Sequence, residues 1–248
     1  MSTARTILIT GAGKRLGSCL AASFAEAGWR VAIHCHHSVA EAQALRERLG
    51  EQHVVLTADL RDLAATRTLV DEAVENFGGL DCLLNNASVY VRKPLADTTA
   101  EDFLSAYQVN CLAPLTLMQE YAARIEKGCI INILDSRIDS VDGRSGAYLL
   151  AKKTLRDLTL ALAQTWAPRL RVNGVAPGLV MSPPGVPQGK IQRLERLSPL
   201  GRSTSPDEIA AACLLLANSP SMTGEIIRLD SGLHLLGQDW GEPNTTDR

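Results

Sequence analysis

The sequence predicts an α/β fold: a seven-stranded parallel sheet, doubly wound, with helices on both faces. Three observations carry that expectation. Short runs rich in Val, Ile and Leu alternate with longer amphipathic stretches from one end of the chain to the other. The strand runs are almost continuously apolar, as strands buried on both faces must be. With 248 residues, 46% of them hydrophobic, the chain can bury a large core as a single domain spanning 1–248.

Strands are expected near Thr6–Thr10, Arg30–His34, His53–Thr57, Asp81–Leu84, Cys129–Leu134, Arg171–Val175 and Ile226–Leu229. Helices are expected at Leu16–Ala27, Val39–Leu49, Leu63–Phe77, Phe103–Glu126, Tyr148–Trp166 and Pro206–Asn218. The punctuation agrees. Gly28 and Gly50 follow helices, and Ser205-Pro206-Asp207-Glu208 supplies an N-cap, a first-turn proline and early acids. The exception is the stretch 177–205, crowded with proline and glycine around a short helical pattern at Lys190–Arg196. A long irregular segment inside such a fold reads as a lid over a site. Residues 238–248 form a polar tail.

Composition narrows the function classes. A net charge of −2 argues against a generally basic nucleic-acid binder. No run of eighteen apolar residues is present, and the N-terminus shows no signal-peptide pattern. The six cysteines stand singly with no CxxC, as reduced, mostly buried small hydrophobes would. A soluble cytoplasmic protein is the default expectation.

The first strand runs into Thr10-Gly11-Ala12-Gly13-Lys14-Arg15-Leu16-Gly17 and then a helix. Glycines in that place let backbone approach a pyrophosphate, and the helix N-terminus offers free N–H groups. The spacing is one residue longer than GxGxxG, and an ordinary tight turn is the plain alternative. After the second strand, where a carboxylate would bind the ribose of NADH, the chain has His34-Cys35-His36-His37-Ser38. With nothing there to repel a 2′-phosphate, His37, Ser38 and Lys14 or Arg15 could meet one, which favours NADPH. A metal site is the rival reading of the histidines, weakened by the lack of a matching ligand cluster. Asp59, after the third strand, is either an adenine acceptor or a helix N-cap.

Tyr148 and Lys152 lie four residues apart on one helix face. An ammonium beside a phenol favours the phenolate and lowers its pKa, so the pair could exchange a proton near neutral pH. Taken with the glycine turn, Asn85-Asn86-Ala87 after the fourth strand, Asn110 in the following helix and Asn173-x-x-x-Pro177-Gly178, this chain resembles the short-chain dehydrogenase/reductase family, whose fold is Rossmann-like. The resemblance extends through Thr223-Gly224-Glu225 and Asp230-Ser231-Gly232. It implies that Tyr148 donates the proton, that Lys152 supports it and holds the nicotinamide ribose, and that Asn110 steadies a relay water.

Two departures point to one branch. Arg15 replaces the family's middle glycine, and Asp135 stands where the catalytic serine is usual, thirteen residues before the tyrosine. Both resemble the pteridine reductases, as does Asn86-Ala87-Ser88. That branch carries an arginine–serine pair where this chain has His37-Ser38. The resemblance implies a cofactor site of Gly11, Lys14, Arg15, Leu16, His36, His37, Ser38, Asp59, Leu60, Asn86, Ala87, Ser88, Tyr148, Lys152, Pro177 and Gly178. It implies a pterin site of Arg15, Ser88, Tyr90, Asp135, Tyr148 and Leu179, with Leu179–Val186 closing over the substrate and Tyr90 stacking on the ring. The alternative for Tyr90 is a loop aromatic packed on the lid. Asp135 would donate a proton or hydrogen-bond the ring; as an acid it needs a raised pKa, which Lys152 opposes. Ser136 would take the serine's place if the register slipped by one.

These expectations give an NADPH-dependent pteridine reductase acting on 7,8-dihydropterins, with dihydrofolate or oxidised pterins as further candidates, and no metal. A carbonyl reductase of the same family is the runner-up. A non-catalytic nucleotide sensor is the third reading, and the proton-relay residues argue against it. The resemblance also implies a homotetramer.

Overall fold

The computed structural model describes residues 4–140, 143–181, 192 and 195–239. Seven strands, β1 (Thr6–Ile9), β2 (Arg30–Cys35), β3 (Val54–Thr57), β4 (Cys82–Asn85), β5 (Gly128–Ile133), β6 (Leu170–Pro177) and β7 (Ile226–Leu229), form one sheet in the order β3-β2-β1-β4-β5-β6-β7. Every pairing is parallel. The order runs outward in both directions from β1 and β4. The crossovers therefore diverge there and leave a crevice at the carboxyl ends of these strands, where ligands bind in open α/β sheets.

The helices are α1 (Arg15–Glu26), α2 (Val39–Leu49), α3 (Leu63–Phe77), α4 (Ala100–Tyr107), α5 (Ala113–Arg124), α6 (Gly146–Trp166) and α7 (Pro206–Asn218). Alternation along the strands splits the core in two. Ile7, Ile9, Leu84 and Ile131 pack with Leu20 and Phe24 of α1 and Ile209 of α7. Leu8, Leu83 and Ile130 face the other way, against Leu69 of α3, Leu117 of α5 and Leu155 of α6. This is why the strands read as unbroken apolar runs: each neighbour along the chain is buried, on opposite faces.

The expected helix at Phe103–Glu126 is instead α4 and α5 joined by a π turn, Gln108–Leu112. Its cause is legible in the chain. Pro114, in the first turn of α5, has no N–H for the Asn110 carbonyl and its ring crowds that carbonyl, so the helix widens there. α6 begins at Gly146, two residues before the expected start. Cys19 is partly buried and the other five cysteines are buried, all of them free. Among the described residues no helix is long and apolar enough to cross a membrane. Of the expected lid, residues 182–191, 193 and 194 lie outside the described residues, as do 240–248 of the expected tail. Gln192 and Glu195–Leu197 of the short helical pattern are helical.

Candidate active site

The glycine turn is packed too tightly for side chains. A Cβ on Gly11, whose φ is +64°, would stand 2.9 Å from the Cα of Ala87; one on Gly13 would stand 2.6 Å from Ser38 Oγ; one on Gly17 would meet the Gly11 carbonyl. Arg15, an exposed residue, also adopts a left-handed φ, of 55°. It holds the conformation for which glycine is the usual residue. Lys14 at the N-cap of α1 is extended and makes no side-chain cap, so the first-turn N–H groups remain available to an anion. A pyrophosphate fits this turn.

Asn86 and Ala87 hold the turn from the β4 side. Thr10 Oγ1 accepts from both of their N–H groups at 3.0 Å, and Asn86 Nδ2 donates to the Thr10 carbonyl at 2.8 Å. From the β2 side the holder is His34, which the sequence offered only as one of three histidines of a possible metal site. Its Nδ1 accepts from the Gly11 N–H at 3.1 Å and its Nε2 lies 3.2 Å from the Ala58 carbonyl. Burial holds the imidazole neutral, at about pKa 4.

Beside the turn, the His36 and His37 rings lie with centroids 3.5 Å apart and their planes tilted by 35°, and Ser38 is buried against Gly13. Asp59 is not a helix N-cap: Asp62 caps α3, accepting from Ala64 and Ala65 N–H groups. Asp59 instead binds Arg61 through a forked ion pair, 2.7 Å at its shortest, and lies 3.7 Å from His36. The Arg61 bonds hold its carboxyl at about 2. The Leu60 side chain lies in the core, and Leu16 packs against the other core face. Among the described residues no group of three or more His, Cys, Asp or Glu is arranged to hold a metal.

At the carboxyl ends of β4 and β5 the structure gathers Ser88, Tyr90, Asn110, Asp135, Tyr148 and Lys152. The Tyr148 hydroxyl donates to Asp135 Oδ2 at 3.2 Å. Asp135, rather than Ser136, is therefore the neighbour of the phenol; Ser136 Oγ is buried without a hydrogen-bond partner. Arg137 forks onto the same carboxylate, Nε to Oδ1 at 2.9 Å and an Nη to Oδ2 at 2.8 Å, and its main-chain N–H donates to Oδ1 at 2.9 Å. Burial pushes the Asp135 carboxyl up, but the Arg137 charge and bonds, with Lys152, outweigh it and hold it below its ordinary value. The raised pKa that an acid role requires is thus not what the site provides. Asp135 is an acceptor.

Tyr148 differs from expectation in the other direction. Burial and the Asp135 charge hold its phenol well above the ordinary value, so it keeps its proton, as a donor should. Lys152 donates to the Ile133 carbonyl at 2.7 Å, and burial lowers its ammonium to about 8 against the opposing pull of Asp135. The Tyr90 ring stands edge-on to Tyr148, centroids 4.9 Å apart, and its hydroxyl meets Ser145 Oγ at 3.2 Å. Asn110 has no side-chain capacity left for a water. Its Oδ1 accepts from Ser88 Oγ and Val89 N–H, and its Nδ2 donates to the Val89 and Ala106 carbonyls. Its main-chain carbonyl, which Pro114 cannot serve with an N–H, is the group that could hold one.

Pro177 ends β6, and Gly178 presses so closely on Asp230 that a Cβ would stand 2.7 Å from it. The Leu179 carbonyl accepts from Thr204 N–H at 2.9 Å, pinning the segment where it leaves the sheet. Arg137 and Ser145 are site residues that the sequence reading missed. Their signals were an arginine two residues past Asp135 and a serine one turn before Tyr148.

The chain resembles known proteins over most of its length. A family model described as enoyl-(acyl carrier protein) reductase, of the short-chain dehydrogenase type, matches residues 11–234. The crystal structure of the FolM alternative dihydrofolate reductase 1 of Brucella suis, in complex with NADP, superposes with a TM-score of 0.90 at 30% identity, covering 95% of this chain and 97% of that one. Pteridine reductase 1 of Leishmania tarentolae is 28% identical, over 94% of this chain and 97% of its own. So is a 1,2-dihydroxy-1,2-dihydronaphthalene dehydrogenase of Ralstonia, over 95% and 99%. Equal identity to enzymes of different substrates leaves the choice of substrate to the site itself. The family-model match over residues 11–234 places the chain in the short-chain dehydrogenase/reductase family of oxidoreductases.

Proposed function

We propose that this chain is an NADPH-dependent pteridine reductase, taking 7,8-dihydropterins to tetrahydropterins, with dihydrofolate and oxidised pterins as further candidate substrates. The observation that carries the reading is the ionised carboxylate of Asp135, buried beside the proton-bearing Tyr148. A ketone oxygen calls for donors. A pterin edge bears N–H groups, which call for an acceptor, and a ring nitrogen, which calls for a proton. The likeness to an NADP-bound FolM dihydrofolate reductase and to a pteridine reductase supports it.

Gly11, Gly13 and the first turn of α1 would hold the pyrophosphate, with His36, His37, Ser38 and Lys14 toward a 2′-phosphate. When bound, the nicotinamide supplies the hydride to the ring carbon. Tyr148 delivers its phenolic proton to the adjacent nitrogen, and the buried Lys152 ammonium offsets the phenolate left behind. Each oxygen of Asp135 already accepts two hydrogen bonds, near its capacity. As the Tyr148 hydroxyl turns to the ring nitrogen, Oδ2 is freed for a ligand N–H. Tyr90 provides the apolar surface for the flat ring. Exposed Leu104, Leu112 and Leu160, on α4, the π turn and α6, support assembly as a homotetramer through these helices.

The test is NADPH oxidation with 7,8-dihydrobiopterin, dihydromonapterin and dihydrofolate beside acetoacetyl-CoA. We expect kcat/KM for a dihydropterin to exceed that for the thioester by about a hundredfold or more. Preference for acetoacetyl-CoA would make the chain a carbonyl reductase.

A further inference from the structure

We propose that Arg137 is a positioning residue of this site, fixing the Asp135 carboxylate against the Tyr148 hydroxyl and tying that pair to Tyr90 through Ser145. The inference rests on the pteridine reductase reading for its kinetic consequences and on geometry for the rest.

Five side chains close a ring. From Arg137 the fork runs to both oxygens of Asp135, and Asp135 Oδ2 receives the Tyr148 hydroxyl at 3.2 Å. The Tyr148 ring abuts Tyr90, the Tyr90 hydroxyl lies 3.2 Å from Ser145 Oγ, and Ser145 Oγ accepts from an Arg137 Nη at 3.3 Å. The members come from three segments: the stretch after β4, the short 3-10 turn Ser136–Asp139 after β5 with its N-cap Asp135, and the first turn of α6 with its N-cap Ser145. This ring links the proton donor, its acceptor and the aromatic wall.

The pair is nearly closed to water, with side-chain exposures of 17% for Arg137 and 14% for Asp135. Buried ion pairs contribute weakly to stability and are retained more readily for the conformation they specify. Here the specification is definite. A carboxylate clamped by a planar fork cannot rotate, so Oδ2 always points at Tyr148. The charged groups facing Asp135 are Arg137 from its own turn and Lys152 from α6; Tyr148 faces it as a neutral phenol, and Tyr90 faces Arg137. With the guanidinium removed, burial would be opposed only by Lys152, by the main-chain N–H of residue 137 and by the Tyr148 hydroxyl. The carboxyl would protonate at higher pH and, as a weaker, neutral acceptor, would hold the tyrosine hydroxyl less firmly.

The experiment compares wild type with Arg137→Gln and Arg137→Lys, using protein labelled at the aspartate carboxyl carbon, with Asp135 assigned through Asp135→Asn. In wild type, the Asp135 resonance should show no titration between about pH 5 and 8. In Arg137→Gln its midpoint should rise by about one unit or more. The kcat/KM for dihydrobiopterin should fall about a hundredfold and gain an acid limb at that midpoint, while NADPH binding by fluorescence stays within about threefold of wild type. Arg137→Lys should restore the low midpoint, since the charge remains, yet leave KM raised, since the fork is gone. An unmoved Asp135 midpoint in Arg137→Gln overturns the proposal, as does a wild-type KM in Arg137→Lys. Should Arg137→Gln fail to bind NADPH, the Lys variant alone decides by its KM. A wild type that titrates as expected but turns over no pterin would remove the substrate reading and leave the positioning role standing.

Discussion

Beside β1–β3 the buried part of the site is made of backbone and neutral groups: glycines that leave no room for a Cβ, uncapped helix N–H groups, and a buried neutral histidine, with the charges of Lys14 and the Asp59–Arg61 pair at its edge. Above β5 and α6 it is made of charge: Asp135, Arg137 and Lys152 around a phenol, all largely withdrawn from water. The first region binds by shape and by dipoles that exist whatever the pH. The second works by fixing which group holds a proton, and each of its members sets the state of the next. One region is steric and robust; the other is electrostatic and mutually dependent.

The comparison breaks most visibly at Tyr148. Replacing it with Phe should cut kcat for dihydropterin about a thousandfold while NADPH affinity, read by fluorescence, changes little. A parallel loss of cofactor binding would show that the two regions are not separable.

The next effect lies at the neutral end and is a matter of pH. The His34 value is depressed from 6.5 to about 4, so below 6.5 the unfolded chain takes up a proton that the folded one refuses. The stability from this group is complete above about pH 6.5 and is lost as pH falls toward 4, to the extent of about 3 kcal/mol. Urea midpoints at pH 7 and 4.5 should therefore fall more steeply for wild type than for His34→Gln. Equal slopes would place the acid sensitivity elsewhere.

Gly13→Ala sets its Cβ against Ser38 Oγ and, at 3.0 Å, the Ser38 carbonyl. It should cost about 1–3 kcal/mol in stability and weaken NADPH binding about tenfold, with kcat at saturation near wild type. The smallest effect is at Tyr90. Changing it to Leu removes an edge-on ring contact, and KM for dihydropterin should rise about fivefold with kcat little altered.

The same contrast explains what was legible in the sequence. The sheet, its helices and the glycine turn follow from local rules, because alternation, N-caps and close approach each leave a residue-level mark. Asp135 and Tyr148 were found through a motif with fixed spacing. Arg137 and Ser145 were not, since their role exists only once the segment after β5 folds back against the start of α6. The protonation states went the same way. Lys152 four residues from Tyr148 suggested a lowered phenol, but burial and a neighbouring carboxylate, properties of the packed site, push it up. The π turn lay between: Pro114 was visible, and its effect on Asn110 is plain once the helix is seen to widen there.

The most direct test of the account is Asp135→Ser, which restores the hydroxyl usual in the family. Steady-state turnover of 7,8-dihydrobiopterin should fall about a hundredfold or more, with NADPH still bound, because the ring edge loses its acceptor and Arg137 its partner. Pterin turnover at the wild-type rate would contradict the account.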